Sequence, residues 1–301
     1  MRTVLGAVEA SGHIQPHEHI FVRATPASRS NPALEISDPE RSLVELLGYR
    51  AAGGAAIVDA QPLGAGRDAA ALRSLSVQSG VAIVAVTGFH LPGFYAPESS
   101  LLGKDEEALF ALYLRELSVG MEECPQARAG AVKAAIGRDG IQGAVRARLR
   151  AAARAAAKAD VALIVHTEAG MHAVEAVDLC AECGLDPRRV LVCHADRQAW
   201  DYAPHEAIAA TGAYLEYDTV GRFKYHSDED EARLIVHMLS RGYGDRLLLS
   251  LDTTAQRLSS YGGEIGLDYL LRTFLPRLRA CGVSEDDLAR ITRENPARAL
   301  G

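Results

Sequence analysis

Short apolar runs alternate with longer amphipathic stretches along this chain. The short runs are mostly apolar throughout, which is typical of parallel strands that are buried on both faces. They are rich in valine, isoleucine, leucine and alanine and end at polar residues. The pattern predicts eight strands: HIQPHEH (13–19), AAIVDA (55–60), VAIVAVTG (81–88), GAVKAA (130–135), VALIVHT (161–167), RVLVCHA (189–195), GAYLEYDT (212–219) and RLLLSLD (246–252).

Between the strands lie stretches with helical periodicity or alanine-rich composition. They include PERSLVELLGYRAAG, DAAALRSLSVQSG, DEEALFALYLRELSVGMEE, GAVRARLRAAARAAAKA, HAVEAVDLCAECG and DEDEARLIVHMLSRG, and the tail GLDYLLRTFLPRLRACGVSEDDLARITRENPARAL predicts a closing helical pair. Strands that alternate with helices indicate a parallel sheet covered by helices. For 301 residues this pattern predicts an α/β fold, a (β/α)8 TIM barrel forming a single domain over residues 1–301. An open, doubly wound sheet is the alternative, but no GxGxxG motif follows the first strand.

Composition and net charge argue against some classes of protein. Hydrophobic residues make up 48% and charged residues 24% of the chain, both ordinary for a soluble globular enzyme, and we expect a small-molecule substrate. The formal net charge of -7 argues against a nucleic-acid partner, because there is no basic excess to neutralise phosphates. No run approaches the ~18 apolar residues of a membrane span. The apolar stretch after Arg2 is too short for a signal peptide, so we expect no membrane association.

The chain has five cysteines, an odd and scattered set. Such a set indicates reduced thiols in a cytoplasmic protein rather than a disulfide framework. Cys180 and Cys183 form a CxxC motif within a predicted helix. A structural zinc site would need a second such pair, so we interpret these two as packed helical thiols.

Residues of metal-ligand or base type stand at the ends of five predicted strands. In a TIM barrel the carboxyl ends of the strands carry the catalytic groups. The residues at these positions are His17, His19, Lys133, His166, His194 and Asp252. Imidazole and carboxylate ligands suit zinc, manganese or a similar divalent ion. A single histidine at a strand end is often only a satisfied polar group, but the repetition over several strands favours a metal site.

The spacing of the first pair fits one metal ion. Residues two apart point to the same face of a strand, so His17 and His19 both face the barrel axis while Glu18 points outward. Lys133 is the unusual member of the set. A lysine buried among metal cations should lose its proton, and the neutral amine could react with CO2 to form a carbamate that bridges two metals. The alternative is a buried lysine that is paired to an acid.

Several segments carry a resemblance to a known family. HEH near the start, RAGAVKAA, HTEAG, CHADR and SLD occur in this order, and the chain ends with RENPARAL. Over nearly its whole length the chain resembles the phosphotriesterase family of the amidohydrolase superfamily. The resemblance implies a (β/α)8 barrel with two divalent metal ions, usually zinc, with manganese or cobalt as alternatives.

The resemblance also implies a role for each residue at the strand ends. His17, His19 and Asp252 would hold the more buried metal, and His166 and His194 the more exposed one. Lys133, as N6-carboxylysine, would bridge both metals together with a hydroxide. The hydroxide would attack the substrate, and Asp252 would take the proton and pass it to the leaving group.

Loop residues bear on the substrate. The HADR and EYDTVGRFKY segments resemble the subgroup that opens phosphorylated sugar lactones. A cationic set of loop residues in an acidic protein suits an anionic substrate, although Arg197 could instead pair with Asp218. The candidate substrate-binding residues are His90, Tyr95, Arg197, Tyr202, Arg222, Lys224, Tyr225 and Arg257.

Other functions stay open at this point. Leu91 stands where the lactonase subgroup commonly has lysine, so a plain lactone, another carboxyl ester or an amide is an alternative substrate. A phosphotriester would need an apolar, aromatic pocket, and the chain has one tryptophan, Trp200. A non-catalytic, ligand-binding relative should have lost a metal-ligand position, and none is lost. The resemblance also suggests a homodimer, with the first βα loop, RATPASRSNPALEISD, as an interface or mobile segment.

Overall fold

A computed structural model describes residues 1–9 and 11–301. Its main feature is an 8-stranded parallel sheet in which every strand pairs with the next along the chain. A short antiparallel hairpin, β1 (Arg2–Thr3) and β2 (Gly6–Ala7), precedes it. The sheet strands are β3 (His13–Glu18), β4 (Gly54–Asp59), β5 (Ala82–Gly88), β6 (Ala131–Ala135), β7 (Ala162–His166), β8 (Val190–Cys193), β9 (Tyr214–Tyr217) and β10 (Leu247–Leu249).

Helices follow the strands and cover the outside of the sheet. They are α1 (Pro26–Ser30), α2 (Pro39–Ala51), α3 (Ala69–Ser79), α4 (Glu106–Ser118), α5 (Gly143–Ala159), α6 (Ala173–Glu182), α7 (Tyr202–Ala210), α8 (Asp228–Ser240), α9 (Leu275–Ala280), α10 (Glu285–Ala289) and α11 (Asn295–Leu300). The tail forms two helical segments, as predicted, and each contains a π-helical turn, Leu270–Phe274 and Arg290–Glu294. The arrangement confirms the single-domain (β/α)8 TIM barrel.

Side-chain caps start the helices where the sequence places short polar residues. The carboxylate of Asp68 accepts a hydrogen bond from the Ala71 amide at the start of α3, and Asp105 does the same for Ala108 at the start of α4. These bonds satisfy amide groups that have no partner within the helix. At the other end of α3, Gly80 has φ 68°, a left-handed conformation that glycine adopts without strain.

The barrel closes between its first and last strands through side chains as well as backbone. The His17 amide donates to Ser250 Oγ at 2.9 Å, and the Asp252 amide donates to the His17 carbonyl at 3.3 Å. The buried Glu18 carboxylate accepts from the Leu251 amide at 2.8 Å. Because these bonds join the end of β3 to the segment after β10, they bring His17 and Asp252 to the same rim of the barrel.

Apolar side chains fill both sides of the sheet. Inside the barrel, residues such as Ile14, Val58 and Leu191 form one buried cluster, and a larger cluster packs the helices against the outer face. All five cysteines are free, and Cys180 and Cys183 lie at the end of α6 as expected. Every helix in residues 1–9 and 11–301 is too short or too polar to cross a membrane.

Candidate metal centre and substrate cavity

A cavity of about 130 Å³ opens at the carboxyl ends of the strands. Both polar and apolar side chains line it. The polar side chains that line it are His17, His19, Gln61, His90, His166, His194, Arg197, Arg222, Asp252, Thr253 and Thr254. Five of the six residues at strand ends singled out in the sequence therefore line one cavity, and the sixth, Lys133, lies next to it.

Two of these residues have a backbone conformation that is uncommon outside glycine. His194 has φ 64° directly after β8, and Asp252 has φ 47° after β10. The left-handed region is costly for residues with a side chain and is found most often where function requires it. In both cases the chain turns sharply at the strand end, so that the side chain is directed into the cavity.

One side of the centre contains His17, His19, Asp252 and Lys133. His19 Nε2 lies 3.2 Å and His17 Nε2 4.0 Å from Asp252 Oδ1. Ligand-type atoms of these three residues lie within 4.8 Å of one another, a spacing that one metal ion can span. The Lys133 side chain is fully buried, with its Nζ 3.1 Å from His17 Nε2. Among the described residues, Lys133 makes no ion pair with an acid, in contrast to the alternative of a lysine paired to a carboxylate.

The other side of the centre contains His166 and His194. Nε2 of His194 lies 2.9 Å from Nδ1 of His166. Burial lowers the pKa of His166 to about 4, although its contact with Glu168 acts in the opposite direction. Burial also lowers the pKa of His194 well below its usual value. Both imidazoles are therefore neutral at physiological pH, and the neutral form is the one that binds metals.

Asp218, at the end of β9, contacts one histidine on each side of the centre through Nδ1 of its ring. Its Oδ1 lies at hydrogen-bond distance, 2.7 Å, from His194 Nδ1, and its Oδ2 lies 3.0 Å from His17 Nδ1 in an ion-pair contact without hydrogen-bond geometry. Metal-binding histidines commonly donate their other ring N–H to a carboxylate, which fixes the tautomer and the ring orientation. This role of Asp218 was not predicted from the sequence, where Arg197 was the expected partner. The available signal was the position of Asp218 at a strand end, as for His166 and Asp252.

Three of the candidate substrate-binding residues line the cavity: His90, Arg197 and Arg222. Arg222 forms an ion pair with Asp252, and Arg197 lies 3.6 Å from the same Asp252 oxygen. Burial would raise the pKa of Asp252, but Arg222 and His194 hold it well below its usual range. Asp252 is therefore an anion between two cationic side chains.

The other candidates lie outside the cavity lining. Tyr95 accepts a hydrogen bond from the His90 amide at 2.9 Å, and Arg257 donates to the carbonyl groups of Val220 at 2.7 Å and Asp252 at 3.2 Å. Both support the loops that carry cavity residues. The Tyr225 ring lies below Arg197, with the exposed Lys224 also against the ring. Tyr202 stacks on His237 of α8, on the outside of the barrel.

The apolar wall of the cavity comes from two loops. Val22, Leu34 and Ile36 belong to the segment after β3, and Leu91 and Phe94 follow β5. Leu91 thus contributes apolar surface to the cavity. The first βα loop, predicted only as an interface or mobile segment, contributes Leu34 and Ile36 to the lining.

Comparisons with known proteins agree with this geometry. The chain is 29% identical to a phospho-furanose lactonase from Mycoplasmopsis synoviae (strain 53), over 99% of this chain and 91% of the relative. It is 27% identical to an N-acetyltaurine hydrolase from Danio rerio, over 94% of this chain and 83% of the relative. A lactonase structure from Listeria monocytogenes superposes with a TM-score of 0.92 at 26% identity, covering 100% of this chain and 98% of the other.

The family assignment follows from the length of the match. The model of the phosphotriesterase family matches residues 1–300, which is nearly the whole chain. The fold, the convergent ligand-type residues and the similar hydrolases are consistent with that match. The chain belongs to the phosphotriesterase family and is a metal-dependent hydrolase that acts on ester bonds.

Proposed function

We propose that this protein opens the ring of an anionic lactone, with a phosphorylated sugar lactone as the preferred substrate class. The observation that carries the proposal is the cavity in which an anionic Asp252 and the neutral imidazoles of His166 and His194 lie together with Arg197 and Arg222. Similarity to a protein named phospho-furanose lactonase supports the same substrate class. The two guanidinium groups would bind the anionic group of the substrate, because arginine pairs well with phosphate and carboxylate oxygens.

The donor set fits two divalent metal ions. His17, His19 and Asp252 would hold one ion, and His166 and His194 the other. The fit rests on donor atoms of this structure: Nδ1 of His17 and His194 face Asp218, which leaves Nε2 of each ring directed towards the centre. Imidazole with carboxylate favours zinc, with manganese or cobalt as alternatives. When bound, such ions supply a water molecule of lowered pKa and polarise the substrate carbonyl.

Lys133 would bridge the two ions as N6-carboxylysine. The support is its complete burial next to His17 without an acidic partner among the described residues. A buried ammonium in that position would be unfavourable, whereas a carbamate would place an anion where cations are held. Carboxylation would therefore explain why Lys133 lies next to His17 and not next to an acid.

The side chains of this chain would perform the remaining steps. Arg197 and Arg222 orient the anionic group, and the wall formed by Leu34, Leu91 and neighbouring residues excludes water from the rest of the cavity. Asp252 accepts a proton from the attacking water and passes it to the alkoxide of the opening ring. When the anionic group of the substrate pairs with Arg222, the ion pair between Arg222 and Asp252 breaks. Asp252 can then serve as the proton acceptor.

The second candidate substrate is an amide whose amine part also carries an anionic group, such as a sulfonate. Similarity to a protein named N-acetyltaurine hydrolase favours it, and a sulfonate would pair with the same arginines. The apolar contribution of Leu91 suits a small acyl group. A phosphotriester is disfavoured, because neutral aryl groups would gain nothing from Arg197 and Arg222.

Hydrolysis by the zinc- or manganese-loaded protein tests the substrate class. The panel contains aldonolactones with and without a phosphate, N-acetyltaurine, an acyl lactone and an aryl phosphotriester, followed with a pH indicator or by amine release. The proposal predicts the highest kcat/KM for a phosphorylated lactone. A preference for N-acetyltaurine would support the second candidate, and a preference for uncharged lactones or the triester would contradict binding of an anionic group.

We also propose a homodimer and a cytoplasmic location for this protein. A homodimer through the first βα loop would cover the outer side of α1 (Pro26–Ser30), and light scattering of the purified protein tests it. The free cysteines support a cytoplasmic location, which fractionation of the source cells tests.

A further inference from the structure

A second cluster of metal-ligand residues lies outside the cavity. In the described part of the chain, ligand-type atoms of Asp196, His226 and Glu231 lie within 4.8 Å of one another, and all three residues are buried. Asp196 lies in the turn after β8, His226 in the loop before α8, and Glu231 in the first turn of α8. None of them lines the substrate cavity or belongs to the proposed metal centre.

Three of the four carboxylate oxygens in this cluster accept no hydrogen bond from the described residues. Glu231 is 0% exposed, and both of its oxygens belong to these three. Asp196 is also 0% exposed; its Oδ2 accepts from the amide and the hydroxyl of Thr219, but Oδ1 has no partner. Leaving such oxygens buried and unpaired is costly. Something besides the hydrogen bonds of the described residues must therefore compensate these oxygens.

Nearby basic side chains do not supply that compensation. His226 Nε2 lies 3.1 Å from Glu231 Oε2, but without hydrogen-bond geometry, and 2.9 Å from Thr219 Oγ1. Nδ1 of His226 lies 3.1 Å from the Ser227 carbonyl, so a proton on Nδ1 is donated there. With the proton on Nδ1, the Nε2 lone pair is free to bind a cation that the two carboxylates also reach, because one ligand-type atom of each residue lies within 4.8 Å of the others.

The neighbouring buried acid, Asp228, already has a hydrogen-bond donor for each carboxylate oxygen. Asp228 accepts from the Gly221 amide at 2.9 Å and from the Tyr269 hydroxyl at 2.7 Å. Burial and the neighbouring Asp196 raise the pKa of the Glu231 carboxyl well above its usual value, so the α8 dipole alone does not compensate its charge. In this part of the described chain the unpaired carboxylate oxygens belong to Asp196 and Glu231.

We propose that Asp196, His226 and Glu231 form a third, mononuclear site for a divalent cation. One imidazole and two carboxylates suit Mn²⁺ or Zn²⁺. The ion would connect the turn after β8, the loop before α8 and the first turn of α8. Because Thr219 follows Asp218, which contacts His194, the ion would also stabilise the loop that supports the catalytic metal centre. Its role is structural, and the site is independent of the substrate.

Metal content and the spectrum of bound Mn²⁺ test this site. Metal-free protein is reloaded with Mn²⁺, freed of excess metal by gel filtration and analysed for metal per chain. We expect the wild-type protein to hold one equivalent more than the Glu231→Gln variant. Its electron paramagnetic resonance spectrum should contain the resolved hyperfine pattern of an isolated Mn²⁺, in addition to the signal of a coupled pair, and Glu231→Gln should lose that pattern.

Glu206→Gln provides the matched control, because Glu206 forms a similar pair with His237 Nε2 at 2.7 Å on the outside of the barrel. This variant should hold as much metal as the wild-type protein. Equal metal content of wild type and Glu231→Gln, or a wild-type spectrum without an isolated Mn²⁺, would overturn the proposal and favour a proton shared by the carboxylates. If Glu231→Gln fails to fold, Asp196→Asn replaces it, with the same expected loss.

Discussion

Asp218 Oδ1 lies 2.7 Å from His194 Nδ1, and the other oxygen of the same carboxylate lies 3.0 Å from His17 Nδ1. One buried carboxylate thus orients two imidazoles on opposite sides of the proposed metal centre. The histidines hold the pKa of Asp218 below its usual range, although burial alone would raise it. The anion at the end of β9 therefore links the geometry of the two proposed metal positions.

Replacing this carboxylate should weaken both positions. In Asp218→Asn the amide oxygen can accept from only one ring, and the negative charge is lost. We expect metal affinity to fall by roughly 10- to 100-fold, the usual effect of removing such a supporting group. Competition with a chelator measures it, and Asp201→Asn, on the surface before α7, is the control. Unchanged affinity in Asp218→Asn would show that the two rings are held by other contacts.

Removing Lys133 tests the proposed bridge. Lys133→Ala should lose activity because the anion between the two metal positions is lost, and added formate, acetate or propionate should restore part of it by occupying the vacated space. Activity is measured with and without each acid. Lys158→Ala, an exposed lysine at the end of α5, should behave as the wild-type protein does. A Lys133→Ala variant that keeps full activity and does not respond to the acids would remove the bridging role.

Arg222 and Lys224 differ in their position relative to the cavity. Arg222 lines the cavity, whereas Lys224 is exposed and lies against Tyr225. Arg222→Ala should raise KM for an anionic lactone by roughly 10- to 150-fold, from the loss of about 1.5–3 kcal/mol for a charged hydrogen bond. The effect on an uncharged lactone and the effect of Lys224→Ala should both be smaller. Equal effects of Arg222→Ala on the two lactones would argue against binding of an anionic group.

His13 gives a prediction about stability and pH. Its ring is buried and makes no hydrogen bond with the described residues, and burial lowers its pKa to about 3, with Arg293 acting in the same direction. Between this value and the usual value of 6.5, only the unfolded state binds the proton. The stability contributed by the neutral ring is therefore present above pH 6.5 and is lost as the pH falls towards 3, by at most about 1.4 kcal/mol per pH unit.

The His13→Leu variant removes this titration. Its free energy of unfolding, measured with denaturant, should fall less between pH 7 and pH 5 than that of the wild-type protein. His172→Asn is the control, because His172 is partly exposed and asparagine tolerates its left-handed backbone, φ 59°. The same decrease in His13→Leu as in the wild-type protein would mean that His13 does not contribute to acid sensitivity.

The alternation of strands and helices in the sequence accounts for most of what could be predicted about the fold and the metal centre. The fold was predictable because each strand is a short apolar run followed by a helical stretch. The same rule marks strand ends, and a barrel brings strand ends together, so His17, His166 and Asp252 could be expected at one rim. The rule applies equally to Asp218, but its role required knowing which strand neighbours which and how far the side chain reaches.

Loop residues were less predictable because loop conformation does not follow from periodicity. Arg222 and Arg257 both occur in loops near strand ends, yet one lines the cavity and the other donates to backbone carbonyls. Tyr202 is on the outside of the barrel because it begins α7, whose direction depends on the preceding turn. The apolar wall from the first βα loop depends likewise on how Leu34 and Ile36 fold back over the strand ends.

The most direct test of the account is the rate of lactone opening when metal is returned to metal-free protein. Chelator-treated protein is assayed with a phosphorylated aldonolactone while Zn²⁺ or Mn²⁺ is added in increments. The account predicts no hydrolysis above the buffer rate without metal, and recovery of activity as metal is bound. Full activity of the metal-free protein, or no activity at any metal content with any lactone or amide of the panel, would contradict it.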